Sequence, residues 1–222
     1  MNKPIEIHLM TDNAFGESTY LRWTENRPNR ILHLHGHDQV FGPFVTCLNP
    51  NSGCCLTSDA PATVTFKQAQ TYLADYNPNS TNAVPICGPV TIVKKGDKLL
   101  CLNSNSPFWT GALEVREGTL ELGKLKMPAV SEVSVTGGTL LVQPTAELGR
   151  KVDVSINGGK VDLAEGVTMK CGWLYLDGKA EPEQPGTYGS SLSAAQFKDD
   201  EHFSGTGVLW ARNGAGTLML VR

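Results

Sequence analysis

Three short segments in the middle of the chain repeat the same pattern, and this internal repeat constrains the fold more than any other feature. They read Glu117-Gly118-Thr119-Leu120-Glu121-Leu122, Gly137-Gly138-Thr139-Leu140-Leu141-Val142 and Gly158-Gly159-Lys160-Val161-Asp162-Leu163. The aligned glycines, Gly118, Gly138 and Gly159, lie 20 and 21 residues apart. A fixed period of this length indicates repeated units, each of which buries its apolar face only against its neighbours.

Each unit holds two short strands and leaves no space for a helix between them. A βαβ arrangement is therefore excluded, because its crossover helix needs a dozen or more residues. An antiparallel meander would not need the same strand–Gly–strand order in every unit. We therefore predict an all-β fold, a single-stranded parallel β-helix (β-solenoid) with capped ends, in which equivalent strands stack about 4.8 Å apart.

Stacking of the repeats predicts two interior columns of aliphatic side chains, and it places the aligned glycines at corners that need a positive φ. One column contains Leu120, Leu140 and Val161, and the other contains Leu122, Val142 and Leu163.

The whole chain is predicted to be a single β-helix domain, since 222 residues suit one large all-β domain. We expect an N-terminal coil or cap over 1–30, stacked coils over 31–178, and a C-terminal loop and cap over 179–222. Polar loops are predicted over 46–61, 75–89 and 180–207. Strands are predicted over 62–66 and, near the end of the sequence, over 207–211 and 216–221. A C-terminal cap is expected around Phe203, Trp210 and Leu218.

Charge and hydropathy exclude two classes of partner. The net charge of −3 provides no basic excess to neutralise phosphates, so we expect neither nucleic acid nor an anionic membrane surface as a partner. No apolar run approaches the roughly 20 residues of a membrane span. Met1–Glu6 is not followed by the apolar core of a signal peptide, so the chain is either cytoplasmic or begins after a removed signal.

The six cysteines leave the redox compartment open. They form no Cys-x-x-Cys pair, so no zinc spacing is present. One interpretation is buried thiols in a stacked core. The other is one or two disulfides within 47–101.

Two clusters of polar residues are candidates for a metal-binding site and a catalytic site. On an alternating strand His33, His35 and His37 would share one face, where two imidazoles could bind Zn²⁺ or Cu²⁺; the alternative is an exposed polar face without metal. Asp199 and Asp200, followed by His202, are typical of the acids of glycoside hydrolysis. The alternative there is a capping loop or a loop that Ca²⁺ helps to hold, and no other cofactor is expected. Four aromatic residues could stack on sugars or pack in the core: Trp23, Trp109, Trp173 and Tyr175.

The stretch from Val90 to Gly123 resembles the autotransporter-associated β-strand repeat. The matching positions are Lys95, Gly96, Leu99, Leu102, Gly111, Val115, Gly118, Thr119 and Leu120, whereas Asp97, Lys98 and Cys101 depart from the pattern. The segment from Leu34 to Gln39 resembles a strand that often precedes this repeat. The ending, from Leu176 to Leu209, resembles a C-terminal segment of large secreted β-helical proteins of bacteria. The resemblance implies a right-handed parallel β-helix, export, and a passenger-like role at the cell surface.

Three functions follow as hypotheses. The first is a non-catalytic scaffold or adhesion module, extracellular or at the cell surface, that contacts polysaccharide or other surface proteins. The second is a polysaccharide lyase or glycoside hydrolase of β-helix type, which requires acids together in a groove with Lys or Arg nearby. The third is a module that assembles with other coils through an exposed end. The sequence leaves the oligomeric state open.

Overall fold

A computed structural model gives the conformation of the chain. It describes residues 5–17, 19, 21–22, 30–42, 44–45, 55–67 and 84–212. These residues form 24 strands and no helix. Within those ranges, accordingly, no helix has the length and apolar character needed to cross a membrane.

The strands are short and follow one another at close intervals. In chain order they are β1 (Ile5–His8), β2 (Leu21–Arg22), β3 (Arg30–His33), β4 (Gln39–Phe41), β5 (Phe44–Val45), β6 (Cys55–Thr57), β7 (Ala62–Lys67), β8 (Ile86–Cys87), β9 (Val90–Lys95), β10 (Leu99–Leu102), β11 (Ala112–Val115) and β12 (Thr119–Leu122). They continue as β13 (Lys126–Met127), β14 (Glu132–Val135), β15 (Thr139–Val142), β16 (Glu147–Leu148), β17 (Asp153–Ile156), β18 (Lys160–Leu163), β19 (Thr168–Cys171), β20 (Leu174–Leu176), β21 (Gly186–Gly189), β22 (Phe197–Lys198), β23 (Phe203–Gly205) and β24 (Val208–Ala211).

Three sheets contain most of the strands, and each joins strands that are far apart in sequence. Their strand orders are β1-β3-β6-β8, β10-β12-β15-β18-β23 and β20-β17-β14-β11-β9-β7-β4. In the part of the chain that the structure describes, every strand pair is parallel except β21 with β24. The prediction of an all-β fold with mainly parallel strands is confirmed.

The register of the repeats places the predicted apolar columns in the core. Thr119 of β12 pairs with Thr139 of β15, which pairs with Lys160 of β18, so equivalent strands lie one repeat apart. Every residue of the two columns is buried, with at most 1% exposure. Burial of an aliphatic side chain contributes about 1.5–3 kcal/mol, so these columns account for much of the cohesion between neighbouring strands.

The third repeat turns its corner differently from the first two. Gly118 and Gly138 have φ of 64° and 65°, as predicted, but in the third repeat Gly158, not Gly159, has the positive φ, of 85°. Three residues separate the two strands at this corner, as in the first two repeats, so the extra residue of the 21-residue offset lies earlier, between β15 and β17. Gly159 is needed for a different reason, since a Cβ there would lie 2.5 Å from a methyl carbon of Val135.

The predicted polar loops contain strands, so those predictions are wrong in part. Strand β6 lies in 46–61, β8 lies in 75–89, and β21, β22 and β23 lie in 180–207. Strand β23 adds to the five-stranded sheet beside β18, with Phe203 opposite Val161. Such short strands are stabilised by pairing with distant residues, which local composition does not reveal.

Other expectations have mixed outcomes. Strands β7 and β24 lie where strands were predicted, while the strand over 216–221, including Leu218, lies outside the described residues. Of the residues predicted to form the C-terminal cap, Phe203 is buried. Trp210 is 40% exposed, so its side chain is not packed inside a cap. Cys55, Cys87, Cys101 and Cys171 form no disulfide with one another, and Cys47 and Cys54 lie outside the described residues.

A lysine side chain lies among the buried residues that the structure describes. Lys94 of β9 is fully buried, and its Nζ donates to three backbone carbonyls: those of Lys95 at 2.9 Å, Gly96 at 2.6 Å and Glu117 at 3.0 Å. Burial lowers the pKa of Lys94 to about 8, although Glu117 and Asp97 act in the opposite direction. The ammonium therefore joins the corner after β9 to the corner after β11.

Candidate functional site

A pocket of about 260 Å³ opens at the corners next to β18, β20 and β23. Three glycines, which have no side chain, line one part of the pocket, and four polar residues supply its charged and hydrogen-bonding groups. The lining residues are Gly138, Gly158, Gly159, Lys160, Asp177, Glu201 and His202. The polar residues come from three separate places in the chain: the first residue of β18, the residue after β20, and the two residues before β23.

His202 is the buried centre of this pocket, with only 6% of its side chain exposed. Its Nδ1 lies 2.7 Å from Oδ2 of Asp199, and its Nε2 lies 2.9 Å from Oδ1 of Asp177. A carboxylate only accepts hydrogen bonds, so both contacts are satisfied when both ring nitrogens carry protons. The imidazole is thus held between two carboxylates from different turns.

Asp199 fixes the turn that carries His202. Its Oδ1 accepts the backbone N–H groups of Glu201 at 2.9 Å and of His202 at 3.1 Å. Burial opposes ionisation of Asp199, but hydrogen bonds from the backbone and side chain of His202 outweigh it, and the pKa of Asp199 is lowered. Asp199 therefore stays ionised and orients the imidazole.

Asp177 reaches the pocket from a left-handed turn. Its φ is 57° and that of Gly178 is 66°, so two consecutive residues are left-handed in the turn after β20. Asp is among the non-glycine residues that adopt this region most readily, and two successive left-handed residues are typical of an Asp-Gly turn. Nζ of Lys179 lies 3.4 Å from Oδ2 of Asp177, which leaves Oδ1 facing His202.

The structure separates the two adjacent acids that the sequence singled out. Asp199 contacts His202, as described above, whereas Asp200 is exposed and accepts the backbone N–H of Ser191 at 2.7 Å. The backbone carbonyl of Asp200 accepts a hydrogen bond from Nζ of Lys160 at 2.7 Å. Glu201, not Asp200, lines the pocket.

We expect the Asp199→Asn variant to be less stable than the unmodified protein by about 1–3 kcal/mol at pH 7, because the buried imidazole of His202 loses one of its two charged partners. The folded-state pKa of Asp199 lies below its unfolded value of about 3.9. Its contribution is therefore present above pH 4 or so and disappears as the pH falls through the folded pKa. Urea unfolding at several pH values measures this difference. Glu165→Gln, at an exposed site, is the control, and a difference that persists in acid would contradict the assignment.

A second cluster forms around the predicted histidines, and it differs from the expected one. The rings of His33 and His35 stack with centroids 3.7 Å apart, and Nε2 of His35 lies 2.7 Å from Nδ1 of His8. Nδ1 of His35 lies 3.5 Å from Oδ2 of Asp59. Burial and the neighbouring His35 lower the pKa of His33. Ligand atoms of His33, His35 and Asp59 lie within 4.8 Å of one another, so their distances alone would allow a metal ion, although the two rings are stacked.

His37 does not join that cluster. Strand β3 ends at His33, and His35 has φ of 51°, so the alternation that would place three histidines on one face is broken. Nδ1 of His37 instead lies 3.2 Å from Oδ1 of Asp12. The members that the sequence missed, His8 and Asp59, come from neighbouring turns of chain, and no local pattern marks them.

The four candidate aromatic residues have different surroundings. Trp109 is fully buried, and its indole N–H donates to the carbonyl of Val90, so it packs in the core. Trp173 and Tyr175 are partly exposed and flank the buried Leu174 of β20, which places both on the outer face of the seven-stranded sheet. Trp23 lies outside the described residues.

Comparison of the chain with protein-family models, with curated proteins and with solved structures finds no significant match in any of the three.

Proposed function

We propose that the chain is a right-handed parallel β-helix that serves as a non-catalytic scaffold or adhesion module, secreted or at the cell surface, and that it contacts glycans. Parallel pairing of the repeated strands at offsets of 20 and 21 residues supports the β-helix. The resemblance to the autotransporter-associated repeat supports the location. Solenoids serve many roles, so the function of a β-helix depends on the side chains at its surface and not on the fold itself.

The observation that carries the proposal is a row of polar and aromatic side chains on the outer face of the seven-stranded sheet. Glu114, Ser134, Ser155 and Tyr175 are consecutive partners across four strands, and all are partly exposed. Trp173 precedes the last of these strands on the same face. Hydroxyl groups spaced about 4.8 Å apart beside two aromatic rings suit a sugar chain, which offers both hydroxyls and flat apolar ring faces.

A glycan array, followed by calorimetric titration of the best glycan, tests this proposal. We expect Trp173→Ala and Tyr175→Ala each to weaken binding about tenfold, because loss of one stacking ring costs about 1–1.5 kcal/mol. Trp210→Ala is the matched control, since Trp210 is an exposed tryptophan on another sheet. The absence of any bound glycan, or an equal loss in the control, would overturn the proposal.

A second candidate is a polysaccharide lyase or glycoside hydrolase, and one observation favours it. Lys160, Asp177, Glu201 and His202 line the same pocket, which brings acids and a lysine together. The lowered pKa of Asp199, however, is the opposite of what a general acid requires. A reducing-sugar release assay on polysaccharides decides between the candidates. Sugar release that is lost in Glu201→Gln and in Asp199→Asn would replace the scaffold proposal.

A further inference from the structure

We propose that Asp177, Glu201 and His202 form a binding site for a six-coordinate divalent transition-metal ion. The site lies at the pocket next to β18, and its existence does not depend on whether the outer face of the seven-stranded sheet binds glycans. One imidazole nitrogen and two carboxylates form a donor set that first-row divalent ions accept.

The distances between the donor atoms suit octahedral coordination. The ligand atoms of the three residues lie within 4.8 Å of one another, and Nε2 of His202 lies 2.9 Å from Oδ1 of Asp177. Two donors that are each about 2.1 Å from an ion and 2.9 Å apart subtend an angle of about 90°, which is the octahedral value. Tetrahedral zinc would require the two atoms, now in hydrogen-bond contact, to move apart to about 3.3 Å. Glu201 is exposed, so its side chain can close the remaining gap.

The imidazole is already held as metal-bound histidines usually are. Nδ1 of His202 donates to Asp199, whose carboxylate is itself fixed by two backbone N–H groups. This contact directs Nε2 towards Asp177 and Glu201. A carboxylate that accepts from the far nitrogen of a ligating histidine fixes the ring and raises its basicity. The incoming ion takes the place of the proton on Nε2.

Charge and access favour a cation at this place. The carboxylates of Asp177, Asp199 and Glu201 surround the imidazole, and the ammonium of Lys179 contacts the oxygen of Asp177 that faces away from His202. Nζ of Lys160 is held by a backbone carbonyl. The glycine-lined pocket of about 260 Å³ leaves room for the water molecules that complete six-coordination. The nitrogen donor favours a transition-metal ion over Ca²⁺, which prefers oxygen ligands.

The histidine cluster near β3 provides an internal comparison. His33 and His35 stack face to face with only 20° between their ring planes, so their in-plane lone pairs cannot converge on one ion as the rings stand. His33 also accepts the backbone N–H of His35 at Nδ1. Metal binding at the proposed site is therefore separable from binding at this cluster by substitution.

Titration of the metal-free full chain with Co²⁺, followed by calorimetry and visible absorption, tests the proposal. We expect one ion per chain with the weak absorption bands of six-coordinate Co²⁺. Asp177→Asn and Glu201→Gln, both at exposed positions, should each weaken binding more than about tenfold, as loss of a ligand or its support does. Glu165→Gln and His35→Ala should bind as the unmodified protein does, and excess Ca²⁺ should not displace Co²⁺.

Several results would overturn the proposal. These are the absence of saturable Co²⁺ binding at millimolar concentration, unchanged affinity in Asp177→Asn and Glu201→Gln, and loss of binding in His35→Ala alone. The intense absorption of tetrahedral Co²⁺ would overturn the six-coordinate assignment. Circular dichroism of each variant establishes that a loss of binding is not a loss of fold.

Discussion

The Lys94→Ala variant is expected to unfold with a free energy about 3–5 kcal/mol below that of the unmodified protein. The substitution removes a fully buried alkyl chain and leaves three backbone carbonyls without the ammonium that donates to them. Large-to-small changes in a core cost about 2–5 kcal/mol, and an unsatisfied buried acceptor adds to that cost. Chemical unfolding followed by circular dichroism measures the difference.

Lys94→Met separates the two contributions, because methionine restores the apolar chain and not the hydrogen bonds. The pKa of Lys94 is lowered to about 8 by burial, below its unfolded value of about 10.4. Between these values the unfolded state binds more protons, so the stability of the unmodified protein should rise with pH over that window. Lys94→Met should lack the rise. A Lys94→Ala variant as stable as the unmodified protein would show that the ammonium does not hold the two corners together.

Gly138→Ala should destabilise the protein by about 3–5 kcal/mol, since two effects add. The residue has φ of 65°, which costs a non-glycine residue about 1–2 kcal/mol. A Cβ at this position would also lie 2.3 Å from the carbonyl oxygen of Gly118. The backbone of this neighbouring corner cannot move aside as a flexible side chain can, and overpacking costs a further 1–3 kcal/mol or so.

Gly166→Ala is the matched control for this prediction. Gly166 has φ of 80° but no atom within 4 Å of the position a Cβ would occupy, so only the conformational cost applies. Thermal or urea unfolding of both variants gives the difference. Equal destabilisation of the two would mean that the corners of successive repeats are not in close contact.

The stacking of the repeats could be predicted from sequence because one local pattern recurs. The alternation around Leu120, Leu140 and Val161 identifies the strands, and the fixed spacing identifies their partners. The place of the left-handed residue in the third repeat could not be predicted. Both Gly158 and Gly159 can adopt a positive φ, and this corner has the same length as the corner between β14 and β15, so its local sequence does not decide between them.

The candidate site could be predicted only in part. Asp199 and His202 are three residues apart, and the sequence brings them together. Asp177 is 25 residues from His202, and the two meet because β23 adds to the sheet beside β18. The sequence of that region is typical of a loop. Asp177 followed by Gly178 is a turn signal, but its orientation towards the imidazole depends on pairing that the sequence does not mark.

The offset between paired strands also determines which changes of length the protein can absorb. Thr119 and Thr139 are partners, so removal of residues 120–139 would join positions that occupy equivalent places in neighbouring strands. Removal of half as many residues would instead pair strands with turns and expose the apolar columns. The protein should therefore tolerate insertions and deletions of about one repeat in length, and natural variants should gain or lose segments in steps of that size.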